Sequence, residues 1–322
     1  MTRKILVTGS TAYDLLLQSE GSFEEGLANQ QLSSLSVAFL AQRFARHHGG
    51  TGANIAWNLR LLGEVPLLVS TVGEDGGPYC ALLAERGIAT AHVQEVPGQS
   101  TATAIVATDS NARQITFFHP GADQYGSWPD LSGERDDLAY AIISPRDVML
   151  MIQAVDWCKQ FKVPYLFDPG QQILAFGEDE LRRALEGSAG VVVNEYEWEL
   201  LRSKLHCTEE NIHLFTPLLI VTRGEHGATY FNGGGACTVA PCTPEHILNP
   251  TGAGDAFRAG VLAGLRTGWD ILRCVRLGAA MGSFAVEIEG TLLEALDPDR
   301  VWQRAQEAYG EELPTLGAQN PK

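Results

Sequence analysis

Six short apolar runs of β-type residues recur along this chain, at 5–7, 66–72, 139–144, 163–168, 190–194 and 218–222. Helical patterns alternate with them, over 53–62, 79–86, 148–159, 178–186 and 197–205. A strand that is apolar throughout must be covered on both faces, and alternation with helices supplies that cover. The pattern predicts an α/β fold in three layers with a mainly parallel central sheet. In such sheets ligands bind beyond the carboxyl ends of the strands.

Two segments break the alternation. Residues 14–39 and 100–119 carry few helix signals, and within the second, 101–107 and 113–118 flank a turn at 108–111 and read as a hairpin. A small β-sheet lid built from 14–39 with 100–119 is expected to cover the mouth of a large domain. That domain comprises 1–13 with 40–99 and 120–312. Gly233, Gly234 and Gly235 lie between two strand-like runs, the place of a hairpin loop.

The 322 residues are 45% hydrophobic, ample for a large core. Lys and Arg number 23 against 39 Asp and Glu, a net charge of −16 with no basic cluster. Phosphate backbones and anionic membranes bind such clusters, so no nucleic-acid or membrane partner is expected. The run at 5–7 is too short for a secretory leader, and no apolar stretch is long enough to span a bilayer. The six cysteines are scattered, and Cys237, Cys242 and His246 lack a fourth zinc ligand. Free thiols and a cytoplasmic location are expected.

Glycines mark the candidate sites. In Asn249-Pro250-Thr251-Gly252-Ala253-Gly254-Asp255 a helix follows at once. Unpaired N–H groups and partial positive charge at a helix start attract anions, and glycine lets them approach. Gly252, Ala253 and Gly254 therefore read as an anion cradle beside the Asp255 carboxylate, or as a plain capped helix. Gly49 and Gly50 precede another helix carrying Asn54, whose amide suits a ligand hydroxyl; a glycine-rich turn is the alternative. Gly9 and Asp14 follow the first strand without the remaining glycines of a dinucleotide fingerprint. Asn194 and Glu197 open a helix at a strand end. Glu197 suits hydrated magnesium there, and equally a capping box with Asn194. Thr222, Arg223, Gly224 and Gly227 form a loop for a nucleotide phosphate or a tight turn. There is neither a Gly-x-x-x-x-Gly-Lys-Ser/Thr loop nor a Gly-x-Ser-x-Gly elbow.

The order of these motifs along nearly the whole chain resembles the ribokinase (PfkB) family of sugar and nucleoside kinases. Within it the chain is most similar to bacterial adenosine kinases of the mycobacterial type. The similarity is carried by Val7-Thr8-Gly9-Ser10 with Asp14, 117–122, 168–172, 194–198 and 250–260. The resemblance implies a ribokinase-like fold and an ATP-dependent kinase acting on a hydroxymethyl group, first of all the 5′-hydroxyl of adenosine. It implies Asp255 as the base, with Gly252, Ala253 and Gly254 around the transferring phosphoryl. Asp14, Asn54, Gly49 and Gly50 would hold the ribose. Ser10, Phe118, Gln171 and Gln172 would face the nucleobase. Asn194 and Glu197 would act through Mg²⁺ and water, with Thr222, Arg223, Gly224 and Gly227 lining the ATP site.

The chain departs from the family's pattern at four places. Asn249-Pro250 replaces an Asp-Thr start tied to a monovalent-cation site, so potassium is expected to matter less. Ala104 stands where an aromatic stacks on the base, Ala38 where a serine stands, and Leu292 where Gly-Thr-Gln has its glutamine. A wider pocket follows, with another nucleoside or a sugar as the alternative substrate. A nucleoside-binding protein without catalysis is the remaining alternative. Exposed lid edges imply a homodimer paired through the lid.

Overall fold

The structure, a computed structural model, describes residues 3–27, 37–111 and 113–316. Its strands in chain order are β1 (Lys4–Thr8), β2 (Ala12–Ser19), β3 (Ala41–Gly49), β4 (Pro66–Gly73), β5 (Val93–Val96), β6 (Ala102–Thr108) and β7 (Gln114–His119). They continue with β8 (Leu138–Ile143), β9 (Tyr165–Phe167), β10 (Gly190–Asn194), β11 (Leu218–Thr222), β12 (Ala228–Asn232) and β13 (Gly235–Val239). The helices are α1 (Phe23–Leu27), α2 (Thr51–Leu61), α3 (Gly77–Glu85), α4 (Val148–Phe161), α5 (Glu178–Leu185) and α6 (Glu195–Leu205). α7 (Ala253–Thr267), α8 (Ile271–Ala285) and α9 (Pro298–Tyr309) complete them.

Among the described residues the large sheet has nine strands in the order β13-β12-β11-β10-β9-β8-β1-β4-β5. It is parallel from β11 to β5, and the β12-β13 hairpin closes one edge antiparallel. Alternate residues of each strand enter opposite cores. Ile5 and Val7 pack with α2, α7 and α8, whereas Leu6 packs with α4, α5 and α6. All three are fully buried, which stabilises by about 1.5–3 kcal/mol per side chain. This two-sided burial is why the strands read as continuous apolar runs, and it yields the three layers expected.

The second sheet has the order β3-β2-β6-β7. The expected hairpin is present as β6-β7, and β2 pairs with β6 in parallel. One boundary differs from the expectation. The sequence pattern groups residues 41–49 with the large domain, but β3 pairs antiparallel with β2 and belongs to the small sheet. β3 is an edge strand carrying Arg43, Arg46, His47 and His48, and charged edges hide strand patterning. Residues 28–36 of the expected lid lie outside the described residues. Among the described residues no helix is long and apolar enough to cross a membrane.

Candidate active site

The loop from β1 to β2 and the start of α2 touch backbone to backbone. A Cβ on Gly52 would stand 2.6 Å from the carbonyl carbon of Gly9. Gly50 caps α2 at φ 93°, a left-handed conformation that favours glycine. This packing sets Asp14 directly against Gly49, where a Cβ would lie 2.3 Å from Asp14 Oδ2. Ser10, expected at the nucleobase, accepts the Thr51 N–H through Oγ at 3.1 Å.

The start of α7 faces this turn. Gly252 adopts φ 87°, and a Cβ there would press on Thr291 at 3.1 Å. The Ala253 and Asp255 N–H groups bond inside the turn, to Pro250 and Gly252. Those of Gly252 and Gly254 meet no protein acceptor among the described residues. Two such N–H groups at a helix start suit an anion. The Asn54 amide donates to Asp255 Oδ2 at 2.8 Å, and Thr291 Oγ1 lies 3.0 Å from Asn54 Oδ1. Thr291 was not anticipated as a site residue.

Four carboxylates converge here with one guanidinium. Arg258 pairs with Asp168 through Nε at 2.6 Å and Nη2 at 2.7 Å, donates to the Gly254 carbonyl, and lies 3.9 Å from Glu197. Burial pushes the Asp255 carboxyl up to about 6 against the pull of Arg258 and Asn54; burial likewise raises Asp14 to about 6. Burial also raises Asp168, against the same Arg258 guanidinium. The sequence signal for Arg258 was present: an arginine inside the apolar run of α7 must find a partner.

The expected nucleotide side gathers at the ends of β10 and β11. Asn194 and Glu197 form the capping box, each accepting the other's backbone N–H at 2.8 Å. Glu197 Oε2 is thus engaged in the cap. Arg223 pairs with Glu195 at 2.9 Å, tying the β11 loop to α6. Gly227 takes φ 83° where a Cβ would strike the Val239 carbonyl, so it serves the turn into β12. Gly224 is open on its Cβ side.

The small sheet closes the site from above. His47, Asp14, Ala104 and Phe118 form one row across its four strands. Between its inner face and the loops at 248–251 and 289–291 lies a cleft of about 470 Å³, lined by Asp14, His47, Ala104, Thr251 and Thr291 among others. Gln171, Gln172, Phe118 and Ser10 do not line that cleft. Gln171 and Gln172 sit on a short helical turn after β9, placed by Gly170 against Pro145. The Ser10 N–H bonds to Pro145, so these residues share one neighbourhood beside it.

Residues 2–297 match the model of the pfkB family carbohydrate kinases. The chain is 28% identical to a nucleoside kinase of Methanothermobacter thermautotrophicus, over 97% of this chain and 98% of that one. A nucleoside kinase of Burkholderia thailandensis solved in complex with inosine superposes with a TM-score of 0.86 at 35% identity, over 96% of this chain and 99% of that one. The same enzyme in complex with ADP-inosine superposes at 0.85 and 34% identity, over 99% and 100%. The fold, the carboxylate beside the glycine cradle and these similarities agree: the chain belongs to the pfkB family of carbohydrate kinases, phosphotransferases that act on an alcohol group.

Proposed function

We propose that this chain transfers the γ-phosphoryl group of ATP to the 5′-hydroxyl of a purine nucleoside, adenosine and inosine being its first substrates. The observation that carries the reading is the Asn54–Asp255 hydrogen bond, which joins the amide assigned here to the ribose with the carboxylate assigned here as base. Nucleoside kinases among the relatives and the inosine bound to a 35%-identical neighbour support a nucleoside over a free sugar. A protein that only bound nucleosides would need no carboxylate beside an anion cradle.

In this reading Asp14 and Asn54 hold the ribose diol, with the Gly49 and Gly50 backbone beneath it. The 5′-hydroxyl is thereby presented to Asp255, which takes its proton. The Gly252 and Gly254 N–H groups face the oxygens on which negative charge grows during transfer. Mg²⁺, when bound, neutralises charge on the β- and γ-phosphates, and Glu197 would hold it through water. Phe118 and the Gln171–Gln172 turn would meet the base, with Ala104 leaving room beside it.

The test is turnover with ATP and Mg²⁺ against adenosine, inosine, guanosine, cytidine, ribose and fructose, with ³¹P NMR locating the new ester. A 5′-monoester of a purine nucleoside as the best product supports the reading. Preference for a free sugar replaces it with the sugar-kinase alternative, and no turnover with any acceptor replaces it with the binding protein.

A further inference from the structure

Gly254 lies inside α7 with ordinary helical geometry, so backbone conformation does not require glycine there. The tight neighbour is Arg258: a Cβ on Gly254 would stand 2.9 Å from Arg258 Nη1, so the guanidinium would have to give way. The helix thus leaves room one turn earlier for its own guanidinium, which donates back to the Gly254 carbonyl at 3.1 Å. Arg258 is 7% exposed and Asp168 is wholly buried. A buried arginine held by a charge-assisted hydrogen bond to a wholly buried carboxylate is restrained, and it links β9's end to the first turn of α7.

The charge balance points the same way. Asp255 is faced by Asp14 from β2, Glu197 from α6, Arg258 from α7, Asn54 from α2 and the Tyr79 hydroxyl from α3. Asp168 lies beyond Arg258. Arg258 is the one cation in that set. A carboxylate packed among other carboxylates takes up a proton unless a cation offsets them.

We propose that Arg258 is a positioning residue for phosphoryl transfer: held by Asp168, it fixes the Gly254 turn of the cradle and supplies the positive charge against which Asp255 stays ionised. This goes beyond the substrate assignment and rests on it only for the turnover readout.

The test compares Arg258→Lys and Arg258→Met in the full chain, through kcat and KM against pH and thermal unfolding. ¹³C NMR of labelled Asp255 carboxyl follows its titration without turnover. Lysine keeps the charge but cannot reach both Asp168 and the Gly254 carbonyl through a planar guanidinium. It should lower kcat about tenfold, leave nucleoside KM within about threefold and leave the acid limb in place. Methionine should raise the acid limb, and the Asp255 carboxyl titration, by about one pH unit or more.

Asp255 titrating alike in wild type and Arg258→Met overturns the proposal, as does a KM rise with kcat unchanged. Should Arg258→Met not fold, Arg258→Lys decides: wild-type kcat overturns the proposal, and a lowered kcat at unchanged KM and melting temperature supports it. Should no acceptor be turned over, the nucleoside reading fails while the carboxyl titration still judges Arg258.

Discussion

The side-chain amide of Asn54 donates to Oδ2 of Asp255 at 2.8 Å, joining the first turns of two helices whose residues stand 201 apart in the chain. The amide's other atom, Oδ1, lies 3.0 Å from the Thr291 hydroxyl, which also reaches the His48 carbonyl at 2.8 Å, so Asn54 links Asp255 to the loop at Thr291.

Asp255→Asn is expected to fold and to lose turnover by about 10²–10⁴-fold, the effect of removing a general base. Its melting temperature at neutral pH should equal or exceed that of the wild type, because the ionised carboxylate is disfavoured by burial. Wild-type kcat in this variant contradicts the assignment of the base.

Asp14→Ala is expected to weaken nucleoside binding, each lost hydrogen bond to the carboxylate accounting for about 1.5–3 kcal/mol. The effect should disappear with a 2′,3′-dideoxynucleoside. Gly49→Ala should reproduce much of it, since the added Cβ would occupy the place of Asp14 Oδ2. Equal losses with both substrates would make Asp14 a structural residue only.

Stability should respond to pH in an unusual direction. Asp14 and Asp255 titrate near 6 when folded, against a usual 3.8. A raised acid pKa means the folded state holds the proton more tightly than the unfolded chain. The burial penalty is then present above about pH 6 and fades as pH falls toward about 4. An Asp14→Asn/Asp255→Asn double variant should therefore gain more melting temperature over wild type at about pH 7.5 than at about pH 5. An equal gain at both values contradicts the raised carboxyls.

Potassium should activate weakly. Asn249 Oδ1 accepts the Thr251 N–H at 3.0 Å, and its Nδ2 donates to the Glu289 carbonyl at 3.2 Å. A cation seeking that carbonyl meets amide hydrogens where a carboxylate would have offered negative charge. Titration of kinase activity with potassium against tetramethylammonium at equal ionic strength should show less than about tenfold activation.

We expect two copies to pair through their lids. The outer face of the small sheet presents Phe44 and Phe117 at 64% and 66% exposure, beside Ile105 and Ile115. Contiguous exposed apolar side chains on a sheet mark an association surface. Sedimentation at micromolar concentration should give a dimer, and Phe44→Lys/Phe117→Lys a monomer. A monomeric wild type refutes the pairing.

Local chemistry made much of this legible in advance. The strands at 190–194 and 218–222 and the helix that starts at Asn194 follow from side-chain periodicity and a capping box, both written within a few residues. The glycine turn into α7 was readable because glycine, proline and a first-turn aspartate act on the backbone beside them. What lay hidden depends on partners remote in sequence. β3 joined the lid because Asp14 pairs with His47 across the sheet. Arg258 found Asp168 across 90 residues, and Thr291 reached Asn54 across 237. Periodicity tells a chain which faces to bury, through the hydrophobic effect, which has no direction. Hydrogen bonds and ion pairs are directional and short in range, so which residues meet is decided only when the layers pack.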